Sequence, residues 1–83
     1  MTEERIKFEG RLALNRRERS QVQLRMQGAR RSLRDLLDPI LPVERLETEM
    51  IASQAMDLAN LQVSYRELLK EAETIRQYLP QGK

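Results

Sequence analysis

The chain's 83 residues predict an all-α fold: an antiparallel two-helix coiled-coil hairpin, expected to dimerise into a four-helix bundle. Three observations carry that reading. Prolines cluster in only two places, Asp38-Pro39-Ile40-Leu41-Pro42 and Leu79-Pro80, so they divide the chain into two arms of nearly equal length. Apolar residues in the second arm recur three and four positions apart without a slip. Charge is split between the arms, ten basic against five acidic residues in 1–37 and five against eight in 38–83, which favours pairing of unlike arms.

The first helix is expected from about Glu3 to Leu37. Thr2 is placed to cap it, and Glu3 and Glu4 face the positive end of the helix dipole. Arg30, Arg31 and Arg34 sit near the other end, where positive charge is favourable. The turn should occupy residues 38–42, because proline disfavours helix in the residue before it. The second helix is expected from about Val43 to Leu79, with Asp38 as the better cap and Val43, Leu46 and Met50 leading into its seam. At ~1.5 Å per residue each arm is a rod of roughly 50 Å.

The seam of the second arm reads Ile51, Gln54, Leu58, Leu61, Tyr65, Leu68, Ala72, Ile75 and Leu79. Applied to the first arm, the same rule gives Phe8, Leu12, Asn15, Arg19, Val22, Met26, Ala29, Leu33 and Leu36, with a polar middle. With the turn centred near Ile40, Phe8 should meet Ala72, Leu12 should meet Leu68, Asn15 should meet Tyr65, Val22 should meet Leu58 and Met26 should meet Gln54. Gly28 would then lie opposite Ala52 and Ser53, where a missing side chain allows close approach.

Composition excludes several classes of function. The chain has no cysteine and no histidine, which removes disulfides, thiol nucleophiles, the commonest metal ligands and the usual neutral-pH proton shuttle. Neither a phosphate loop nor a dinucleotide fingerprint is present, and the carboxylates sit at helical positions without a pocket. No catalytic residue, metal, cofactor or small-molecule substrate is implied. With 34% charged residues and a mean hydropathy of −0.67, no stretch is suited to span a bilayer. The expectation is a cytoplasmic protein.

What remains is binding through surfaces. Leu14, Leu24, Met56, Val63 and Leu69 fall outside the seam, and apolar residues beyond one buried face imply a further helix layer, hence a homodimer or another protein partner. From Arg11 to Arg34 eight arginines stand against the single acid Glu18, and Arg16, Arg30 and Arg34 share one broad face that suits phosphate contact. The plainer expectation for these arginines is salt bridging to the acidic second arm or to an acidic partner. Peripheral membrane binding fits least, since the basic arm lacks a wide Trp/Phe/Leu face. The leading functional expectation is a non-enzymatic helical interaction or oligomerisation module, and the alternative is a nucleic-acid-binding regulator.

Two resemblances bear on setting. The segments Glu4–Leu12, Leu33–Pro39 and Ala52–Ala59 resemble small coiled-coil proteins of Mu-like prophages, which implies a phage or bacterial setting for the expected adaptor or regulator but no activity and no functional residues. The Pro39-Ile40-Leu41-Pro42 turn is also similar to that of type III secretion needle subunits. The chain departs from those subunits in its high arginine content and in lacking their tryptophan-containing segment.

Overall fold

The computed structural model describes residues 2–79 as two long helices folded back on each other. Helix α1 spans Glu3–Leu36, 34 residues, and α2 spans Thr48–Tyr78, 31 residues. They form a rod of 63 × 17 × 16 Å. Among the described residues no helix is long and apolar enough to cross a membrane.

Helix α1 starts at Thr2, whose extended backbone lets its hydroxyl oxygen accept from the Arg5 N–H at 3.2 Å. It stops at Leu36, just ahead of the Asp38-Pro39 pair that disfavours further helix. Leu79, which precedes Pro80, is extended and closes α2 at Tyr78, one residue before the expected end. Pro80 itself lies outside the described residues.

The expected start of the second helix is corrected by five residues. Val43–Arg45 form a single 3-10 turn behind Pro42, Leu46 is extended, and α2 begins only at Thr48. The cause is visible when the seam is traced backwards from Ile51 at three and four residue steps, since it lands on Glu47 and Glu44. A helix continued to Val43 would aim two carboxylates into the apolar seam, which costs several kcal/mol each when they are unpaired. Breaking the helix leaves both glutamates exposed and half-buries Leu46 instead, while Val43 and Met50 stay exposed. Asp38 does not cap α2 either. Its carboxylate accepts from the Ile40 N–H at 2.9 Å, holding the turn, and α2 begins at Glu47 without a side-chain cap.

The longer connection moves the register. Its midpoint between Leu36 and Thr48 is Pro42 rather than Ile40, so the pairing shifts by about one turn, ~4 residues. Phe8 therefore stacks on Tyr78, with ring centroids 5.6 Å apart, and not on Ala72. Asn15 reaches the Leu68 carbonyl rather than Tyr65, and Met26 shares a hollow with Leu58.

The faces of the helices did not depend on that register. Phe8, Leu12, Asn15, Arg19, Val22, Met26, Ala29, Leu33 and Leu36 on α1 are buried or half-buried, as are Ile51, Gln54, Leu58, Leu61, Tyr65, Leu68, Ala72, Ile75 and Leu79 opposite them. Ala29, Ala72, Ile75 and Asn15 are the buried members. Gly28 does not mark a close approach. It is exposed, and a methyl group built there would meet nothing within 4 Å.

Candidate functional site

Three features stand out from the apolar packing of the seam. The first is a polar layer within it. Asn15, 1% exposed, donates from Nδ2 to the Leu68 carbonyl at 2.8 Å and to Glu71 Oε1 at 3.1 Å, while its Oδ1 accepts from Arg19 Nε at 2.8 Å. Every polar atom of the amide is thereby engaged, so a buried polar residue is held without an orphaned donor or acceptor. Such a residue in a coiled-coil seam admits one register and penalises others. At the open end Phe8 is covered on one side by Tyr78 and approached by the Arg11 guanidinium, 5.7 Å from its centroid. Neither Glu71 nor Tyr78 was singled out from sequence, because both lie one position off the seam, where they stay exposed and touch Asn15 and Phe8 only from its edge.

The second surface is the basic flank of α1. Arg16, Gln23, Gln27, Arg30 and Arg34 are exposed along one side of the helix. Gln27, Arg30, Arg31 and Arg34 line a shallow hollow, and Gln23, Gln27 and Arg30 rim a second one floored by Met26, Leu58 and Tyr65. The arginine stems shield the apolar seam while their heads stay in water.

These arginines do not pair with the acidic arm as expected. Among the described residues the ion pair is Arg5 with Glu9, 2.9 Å apart and one turn away on the same helix. Antiparallel helices oppose like flanks, so Arg16 and Arg30 run beside the α2 flank that holds Ala55 and Gln62. The acids of α2 lie elsewhere. Glu49, Glu67 and Glu73 fall on its outer side and Asp57 and Glu71 on the opposite flank. Helical geometry keeps Arg16 and Arg30 apart from the acids of α2, whereas Arg11 and Arg25 share a flank with Asp57 and Glu71 without forming an ion pair among the described residues.

The third surface is apolar. Leu14, Leu24, Met56, Val63 and Leu69 are all exposed, from 41% for Leu69 to 68% for Leu24. They do not make one face. Met56 and Val63 lie on the ridge of α2 opposite its seam and Leu69 on the flank that holds Ala55 and Gln62, whereas Leu24 lies on the corresponding ridge of α1, across the thickness of the rod. Leu14 lies on the flank of α1 away from Arg16 and Arg30. The α2 ridge is the part with continuity, because the sixteen residues from Met50 to Tyr65 contain a single charge, Asp57, in a chain that is 34% charged.

Comparison of the chain with protein-family models, curated proteins and solved structures found no match.

Proposed function

We propose that the chain is a non-enzymatic helical interaction module that works as a homodimer. The observation that carries this is the uncharged stretch of the outer ridge of α2 from Ala52 to Val63. Its Met56 and Val63 are 63% and 56% exposed on a rod whose seam is already filled by the other arm. A two-helix hairpin covers only one stripe of each helix, and at this size a second layer supplies burial that the single chain lacks. Sedimentation equilibrium tests the reading. The expected result is a dimer that Met56→Glu converts to a helical monomer, and a chain that stays monomeric at every attainable concentration contradicts it.

A second reading, nucleic-acid binding by the basic flank, is favoured by the same arginines' lack of acidic partners among the described residues. Arg16 to Arg34 spans about 27 Å of helix, long enough to meet several phosphates. Binding of this kind is steeply salt-dependent and weakens uniformly across sequences on charge reversal at Arg16, Arg30 and Arg34. Absence of gel retardation of both DNA and RNA at low salt contradicts this reading and leaves the first one standing.

A further inference from the structure

We infer that two copies pair antiparallel through the outer ridge of α2, in a register set by Glu49 and Arg66. This rests on the dimer reading above and specifies its interface. Along the ridge, Glu49, Ala52, Met56, Ala59, Val63 and Arg66 recur three and four residues apart, a second heptad stripe on the side of α2 turned away from α1. All six are exposed. Among the described residues neither Glu49 nor Arg66 has an ion-pair partner in its own chain.

The stripe is complementary to its own reverse. A two-fold axis between Asp57 and Leu58 lays Met56 on Ala59 of the second copy, Val63 on Ala52, and Glu49 on Arg66, and by symmetry each contact forms twice. Large side chains meet small ones in every apolar layer, which lets the helices approach closely without voids. Opposite charges close both ends of the apolar stretch. The flanks beside it carry Ser53, Ala55, Asn60 and Gln62, so no like charges face each other near the axis.

That complementarity selects a second copy of this chain as the occupant. A register displaced by one heptad would set Met56 against Arg66 and Ala52 against Lys70, with the acid unpaired. A parallel pairing would stack Glu49 on Glu49 and Arg66 on Arg66. The assembly that results is a layer, α1–α2 of one copy against α2–α1 of the other, because the ridge lies opposite the hairpin seam. Its two outer helices keep their basic flanks free.

Charge exchange tests the pairing. Glu49 and Arg66 lie 17 residues apart on one straight helix, about 25 Å, so coupling between them arises only across a dimer. Sedimentation equilibrium is measured for the full chain, for E49R, for R66E and for the double variant, with circular dichroism verifying the hairpin in each. Each single reversal is expected to weaken dimerisation roughly tenfold or more, and the double exchange to return it to within about threefold of the starting chain. A dimer that ignores all three variants, or one that the singles weaken and the double does not restore, overturns this interface while the dimer reading survives. A monomeric starting chain overturns both.

Discussion

Asn15 holds the hairpin in one register. Its amide is the only buried polar side chain among the described residues, and all three of its hydrogen bonds depend on the donor end pointing at Leu68 and Glu71 and the acceptor end at Arg19. Replacing it with aspartate keeps the shape and removes the donor, turning a carboxylate toward a carbonyl and a second carboxylate. Asn15→Asp is expected to cost about 2–4 kcal/mol in chemical denaturation, Arg19 offsetting only part of the repulsion. Asn15→Leu is expected to cost less than 1 kcal/mol or to stabilise, since an apolar replacement leaves only Arg19 and Glu71 to be rehydrated, and both lie close to water. An aspartate variant as stable as the leucine one would contradict the assigned network. Glycine gives a second prediction at this scale. Gly10 and Gly28 sit inside α1 with open space where a methyl group would go, so Gly10→Ala and Gly28→Ala should each stabilise by up to ~1 kcal/mol, read as a raised thermal midpoint.

Helix α2 has the weaker start of the two elements. Thr2 supplies α1 with a side-chain acceptor, but Glu47 supplies none, and its carboxylate is one methylene too long for the usual cap geometry. Glu47→Ser is therefore expected to stabilise by about 0.5–1 kcal/mol, and an unchanged denaturation midpoint would show that the helix end is satisfied in another way. The same end of α2 marks the limit of what was legible in the sequence. Which residues face the partner helix follows from three and four residue spacing alone, and that spacing locates every buried or half-buried position in both helices apart from Ser32, beside the seam, and the connection's Asp38 and Leu46. Where α2 begins does not follow from the prolines, because a proline at 42 permits a helix after it as readily as a 3-10 turn. The deciding signal is the position of Glu44 and Glu47 on the seam, and a helix started at Val43 ignores it, which shortens the connection and displaces the register by about one turn. The arginines show a different limit. Counting charge by arm predicts cross-arm bridges, but Arg16 and Arg30 run beside a flank of α2 that carries no acid.

At the scale of the whole molecule, a rod only 17 Å wide divides its surface into distinct sides, one basic along α1 and one with an uncharged stretch from Ala52 to Val63 along α2. In the proposed dimer the uncharged stretch of α2 would lie between the two copies and the basic flank of α1 would remain displayed. The most direct test uses the absence of native cysteine to place a single nitroxide by Asn60→Cys in one sample and Gln77→Cys in another, and measures the distance between the two copies by electron-spin resonance. Antiparallel pairing about Asp57 and Leu58 predicts about 25 Å or less between labels at position 60 and about 55–60 Å between labels at position 77, from helix rise and interhelical spacing. Equal distances at the two positions, or no interaction between copies at either, would contradict it.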